Sequence, residues 1–149
     1  MTDRIRLISE HLVPVVAQAF KDLMMLMVSK DFQTIVERYP IGLSSEAFQE
    51  VVEDWMGKDA VAMPPDNAFE DFEYDRGELE FNSSSETVPR GRAHHAIQIT
   101  GFDEPSDVLV CHMYMWHVRD GRTDVSLILQ TTDPLLKPFK VLEIDMEVM

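Results

Sequence analysis

Residues 108–130 read VLVCHMYMWHVRDGRTDVSLILQ, two long β-prone runs that meet at Asp120-Gly121. Nothing else in the chain limits its fold as strongly. Asp-Gly between alternating apolar residues is the best short-range signal of a β-hairpin. A two-residue type I′ loop needs positive φ at both positions, which Gly adopts freely and Asp tolerates. With that loop, Arg119 pairs with Arg122 and the register runs outward from them. Trp116 then stands opposite Val125, Tyr114 opposite Leu127 and His112 opposite Leu129. Val108, Val110 and Val118 share that face. It carries the larger apolar area and is therefore assigned to the core. The other face sets Cys111, Met113, Met115 and His117 against Gln130, Ile128, Ser126 and Asp124. It is mixed, and is expected to be partly covered or to lie at an interface.

The segments before the hairpin begin as helices. Ile8, Leu12, Val15, Val16, Ala19, Leu23 and Met27 recur at helical spacing behind a cap at Thr2 or Asp3. Pro14 has no amide to donate and crowds the preceding turn, so a kink or restart is expected beside it. Residues 31–38, DFQTIVER, predict a second helix with Phe32, Ile35 and Val36 inward, stopped by Tyr39-Pro40-Ile41-Gly42. A third starts at Ser44 or Ser45, turns Phe48, Val51, Val52 and Trp55 inward, and ends at Gly57. Pro64-Pro65 excludes regular structure from the link that follows.

Strands come next. Residues 69–74 and 78–81 predict a short hairpin around Asp75-Arg76-Gly77, and residues 82–92 a polar surface loop. Residues 93–102 read as a strand with His95, Ile97 and Ile99 on one face, followed by a turn at 103–106. Residues 140–149 close the sheet, with Leu142, Ile144, Met146 and Val148 inward and Glu143, Asp145 and Glu147 outward. Helices first and strands afterwards define an α+β class. The expectation is one domain over residues 1–149: about three N-terminal helices packed on a curved, mostly antiparallel sheet.

The chain carries 27 acidic residues against 13 basic ones, a net charge of -14. Nucleic acids and anionic membranes both demand a basic patch, so neither is an expected partner. A basic protein, steered in by charge, is. The single cysteine rules out an internal disulfide and suits a reducing cytoplasm. No uninterrupted apolar run reaches about 18 residues, and no basic n-region precedes an apolar stretch. A cytoplasmic location follows as the expectation.

Four stretches carry a resemblance: LSSEAFQEVVEDW, MPPDNAFEDFE, DGRTDVSLILQ and VLEIDMEVM. Together they resemble an uncharacterised family of small bacterial proteins. That family places a helix and a PP-D-AF link before a DGRSDLTL-like hairpin and a DDIHVL-like closing strand. Asp145-Met146-Glu147 departs from it, because the family often has a histidine there. The element order is also similar to the cone-shaped superfamily of nuclear-transport-factor-like, ketosteroid-isomerase-like and cystatin-like folds. That likeness implies a cone-shaped sheet wrapped on helices. It leaves the function open, since the superfamily holds enzymes, ligand binders, partner-binding modules and immunity proteins.

Four histidines fall between residues 94 and 117, but their spacing opposes a metal site. His94 and His95 are neighbours, and His112 and His117 are five apart, so each pair points to opposite faces of a strand. There is no HExxH, no cysteine cluster, no phosphate loop and no dinucleotide fingerprint, so no cofactor and no catalytic residue is assigned. Cys111 reads as an inert buried thiol. His112, Tyr114 and Trp116 on the predicted core face are the candidate pocket: a hydroxyl and an imidazole beside a cavity can polarise a carbonyl. Asp66, Glu70, Asp71, Glu73, Asp75, Glu78 and Glu80 form the densest charge, opposed only by Arg76, and are the candidate partner-binding ridge. The leading expectation is a non-catalytic protein-binding domain, for example an acidic immunity-type inhibitor of a basic toxin. The alternatives are a small-molecule binder or isomerase-like enzyme using the pocket, and a homodimer through Met113, Met115 and Ile128.

Overall fold

The computed structural model of the chain describes residues 2–83, 95–102 and 107–148. Most of the expected polar loop, His94 and the 103–106 turn lie outside the described residues.

Helices α1 (Thr2–Leu7) and α2 (Val13–Val28) form one run, joined by a π-helical turn at Ile8–Leu12. Pro14 lies in the first turn of α2, directly after that turn. A proline removes a donor and clashes one turn back, and a π turn relieves both. The Val13 amide accordingly reaches back five residues to Ile8 O. The stretch Asp3–Val28, 26 residues, is long and apolar enough to cross a membrane by length and composition. Interruptions by single charges hide this in a plain count of apolar runs. Here Leu12, Val16, Phe20 and Leu23 are enclosed by protein.

Helix α3 (Phe32–Arg38) is capped by Asp31, whose carboxylate accepts from Thr34 N at 3.2 Å and from the Thr34 hydroxyl at 2.7 Å. Helix α4 (Ser45–Met56) is capped by the Ser44 hydroxyl, which accepts from Ala47 N at 3.1 Å. Its buried row is Phe48, Val52 and Met56, spaced four apart. Trp55, expected inward, lies beside that row and is 40% exposed.

The strands are β1 (Val61–Ala62), β2 (Phe72–Arg76), β3 (Leu79–Asn82), β4 (Ile97–Gly101), β5 (Val108–His117), β6 (Gly121–Thr132) and β7 (Val141–Val148). A 3-10 turn, Asp66–Glu70, leads into β2. The sheet runs β3-β2-β4-β5-β6-β7, with β1 paired to β5 beyond the hairpin's middle. Every pairing is antiparallel except β2 with β4. The class is α+β, with the helices packed on a mostly antiparallel sheet.

The hairpin forms where the sequence places it, but with another register. His117 pairs with Gly121, so the loop holds residues 118–120. Gly121 alone takes the left-handed conformation, at φ +72°, and Asp120 does not. This matches a three-residue loop whose glycine follows the turn, rather than a type I′ pair. The pairing beyond is one residue out: Tyr114 faces Ser126, Met113 faces Leu127 and His112 faces Ile128. Leu127 and Leu129 point into the core as expected, but β5 is turned over. Leu109, Cys111, Met113 and Met115 are buried with the helices, while Val118 is 57% exposed. Between Tyr114 and Trp116 the register shifts again at a bulge in β6. There the Thr123 hydroxyl donates to Met115 O at 2.9 Å and accepts from Val125 N at 3.1 Å, which satisfies the backbone the bulge frees.

One hydrophobic cluster joins Val16, Phe20 and Leu23 of α2 to Phe72, Tyr74, Ile97, Ile99, Cys111, Met113, Leu127 and Leu129. At its end lies a buried ion pair. Arg76 Nη1 donates to Asp133 Oδ2 at 2.9 Å, and the side chains are 14% and 2% exposed. The guanidinium rests on Gly101, where a Cβ would fall 2.2 Å from Arg76 Nε. Cys111 shares the cluster, and burial pushes its thiol up to about 12. That keeps the sulfur protonated and unreactive.

Candidate functional site

Successive residues of a strand point to opposite faces, so the register alone lays out the face turned away from the helices. One row across the sheet is Glu80, Asp75, Thr100, Val110, Gln130 and Glu143. The next is Asn82, Glu73, Gln98, His112, Ile128 and Asp145. A third sets Tyr114 beside Ser126 and Glu147. Carboxylates therefore occupy both margins, Glu73, Asp75 and Glu80 on one side and Glu143, Asp145 and Glu147 on the other. At the centre, the strand residues between the margins carry no formal charge, and Arg122 lies over them at the Tyr114 end.

That centre is not fully satisfied. Gln98 Nε2, His112 Nδ1 and Ser126 Oγ are buried and meet no hydrogen-bond partner among the described residues. Gln98 and His112 stand directly opposite each other, and Ser126 is 0% exposed. A buried polar group without a partner costs about 1–3 kcal/mol. Burial pushes the His112 pKa down, with the Glu147 carboxylate pulling the other way, so the ring is held toward its neutral form.

Above the centre, the Arg122 guanidinium lies over the Tyr114 ring, 4.0 Å from its centroid, and 5.9 Å from that of Trp116. Its Nη2 donates to His95 O at 3.2 Å. His95 is itself buried, with Nδ1 2.5 Å from Asp71 Oδ1. The second Asp71 oxygen accepts from Ala96 N at 3.0 Å. Asp71 thus fastens the start of β4 to the start of β2 and sets the imidazole's orientation. An aspartate that orients a histidine is the first half of a general base. Among the described residues no hydroxyl or thiol is hydrogen-bonded to the other ring nitrogen.

The residues singled out from the sequence divide as follows. His112 and Tyr114 belong to the outer face, not to the helix-covered one. Trp116, beyond the bulge, is half-buried and packs at the core's edge. The trio therefore does not line a common pocket between sheet and helices. Of the acidic ridge, Glu73, Asp75 and Glu80 share the outer face. Asp66 and Glu70 are exposed on the 3-10 turn, Glu78 is exposed in the β2–β3 turn, and Asp71 is engaged by His95. The proposed homodimer face is also split, since Met113 and Met115 are core and Ile128 is outside. The expected His117 to Asp124 pair is replaced by Arg119 N donating to His117 Nδ1 at 3.0 Å.

What sequence reasoning passed over is the second acidic margin. Its signal was the alternation LEIDMEV in β7, read as structure only. Gln98, Ser126 and the pairing of Asp71 with His95, 24 residues apart, carry no spacing signal. Among the described residues no group of three or more His, Cys, Asp or Glu side chains is placed to hold a metal ion. Comparison of the chain with protein families, with curated proteins and with solved structures finds no match.

Proposed function

We propose that this chain is a non-catalytic, cytoplasmic protein-binding domain whose outer sheet face receives a basic polypeptide. An immunity-type inhibitor of a basic toxin is one concrete form. A single observation carries the reading: six carboxylates flank a strip of uncharged strand residues in which Gln98, His112 and Ser126 hold buried polar atoms with no partner among the described residues. Cationic side chains complement the margins. The strip calls for both a donor and an acceptor, which a peptide backbone supplies. The likeness in element order to the cone-shaped superfamily, which includes partner-binding modules, agrees with this reading.

The one-residue register change bears directly on the choice of function. From the sequence, the aromatic pocket and the acidic ridge were rival sites on separate surfaces. His112 and Tyr114 instead join Glu73, Asp75 and Glu80 on one face, so they support one activity. An isomerase-like use of His112 and Tyr114 would work on this same outer face, between the acidic margins. Face-to-face pairing of two copies would bring carboxylate margins together, which like-charge repulsion opposes.

An NMR titration with a short oligolysine tests the proposal. Amide shifts are expected along β2, β3 and β7 and at His112 and Tyr114. Glu46, Glu50 and Asp54 of α4 serve as an internal control, being equally acidic. Shifts spread evenly over α4 and the sheet would reduce the interaction to bulk charge and sink the proposal.

A further inference from the structure

Away from that face, a cleft of about 230 Å³ lies between the end of α2, the start of α3, α4 and β1. Its floor is Met27, Phe32, Val52 and Ala60, all buried. Its rim is Gln49, Glu53, Lys30 and Asp59. We propose that this cleft binds a small amphiphile with a compact apolar body and a protonated amine head.

The size comes first. Sites for drug-sized ligands run to roughly 300–1,000 Å³, so the occupant here is smaller. The apolar floor selects an apolar body, because burying it removes hydrocarbon from water on both sides. The rim then decides the charge. Lys30 is already ion-paired with Asp59 across the cleft. Both residues stand at positive φ, 60° and 58°. Lys30 closes α2 in a Schellman turn, with Asp31 N donating to Leu26 O and Lys30 N to Met27 O. Glycine is the usual residue at such positions, so two charged side chains occupy places where the backbone alone would favour none. With that pair neutralised, Glu53 is left over. Its carboxylate accepts only from Gln49 Nε2, at 3.1 Å, and no cation is paired with it among the described residues. A half-buried carboxylate above an apolar floor attracts an ammonium and repels an acid of the same shape.

The test is an NMR titration of the full chain with 2-phenylethylamine, with 3-phenylpropionate as a control of like size and opposite charge. The amine is expected to shift the amides of Met27, Phe32, Val52 and Ala60 to saturation. The acid should bind at least about tenfold more weakly. Glu53→Gln should lower amine affinity about tenfold, the value of one hydrogen bond to a charged group, while leaving thermal melting unchanged. Replacing Glu73, Asp75 and Glu80 by lysine should leave amine binding at the cleft intact, which keeps this result separate from the partner face. Shifts confined to the sheet, equal binding of amine and acid, or full affinity in Glu53→Gln would each overturn the assignment.

Discussion

On β5, Leu109, Cys111 and Met113 are wholly enclosed, whereas Val110 and His112, one residue away on the other side of the same strand, are only partly covered. The two faces differ little in side-chain size. They differ in what lies against them. The helix-covered face packs under α2 as one apolar cluster, and its ion pair, Arg76 with Asp133, is in direct contact at 2.9 Å, although Arg76 Nε and Nη2 meet no partner among the described residues. The outer face has carboxylates along both margins and unfilled polar atoms at its centre. Unpartnered buried polar atoms occur on both faces among the described residues, so what separates the faces is the apolar packing of one and the carboxylate margins of the other.

The sharpest way to break this contrast is at the covered ion pair. Arg76→Ala leaves the Asp133 carboxylate buried without its cation, and removing one partner of such a pair costs about 3–5 kcal/mol. Urea unfolding should show a loss of that size. If Arg76→Ala unfolds within about 1 kcal/mol of the parent, the pair is effectively solvated and the covered face is not closed at that end.

Two neighbours on β5 give the next largest effect. Met113→Ala opens a cavity under α2 and should cost about 2–5 kcal/mol. His112→Ala removes an unsatisfied ring nitrogen from the outer face and should cost far less, under about 1 kcal/mol. Denaturant midpoints of the pair decide which face is the core. Reversed values would restore the register expected from the Asp-Gly turn.

That register marks the limit of what the sequence makes legible. The helices, the cap at Ser44, the order of helices before strands and the position of the hairpin follow from local chemistry, which the sequence displays directly. The face of β5 does not. Both of its alternating sets are apolar, so hydrophobicity could not choose between them. The choice hung on loop length, and Gly121 alone in the left-handed region lengthened the loop by one residue. The bulge at Thr123 then changed the partner of Trp116 to Arg122, whose guanidinium lies against both the Tyr114 and Trp116 rings. The parallel pairing of β2 with β4 and the clasp of Asp71 on His95 depend on contacts distant in sequence, and no alternation announces those. Of the candidate site, the acids were visible as charge, and their companions in the uncharged strip became visible only once β5 was turned over.

A smaller effect separates the faces by pH. Burial lowers the His112 pKa from its ordinary value of 6.5. The unfolded chain then binds a proton more readily than the folded one, so stability is complete above about pH 6.5 and falls as pH drops through the unfolded value. Subtracting the stability curve of His112→Gln from that of the parent should leave a fall below that pH. A flat difference would show that the ring is open to water and the strip is not buried. A bound basic polypeptide that donates to Nδ1 should strengthen the dependence, since it favours the neutral ring further.

The smallest effect carries the functional contrast. Asp75 and Glu80 stand directly opposite each other on the outer face, and like charges opposed in an antiparallel pair are destabilising. Asp75→Lys converts that opposition into an ion pair and should raise stability by a few tenths of a kcal/mol at low salt. The gain should shrink at molar salt, where exposed charges are screened within a few ångströms. A basic polypeptide should associate more slowly with the same variant, because margin charges act mainly on encounter. Stability and binding then move in opposite directions from one substitution. That is the signature of a charge kept for a partner at the expense of the fold. If Asp75→Lys stabilises the protein and leaves association with oligolysine unchanged, the acidic margin on β2 and β3 is a solvated edge and plays no part in recognition.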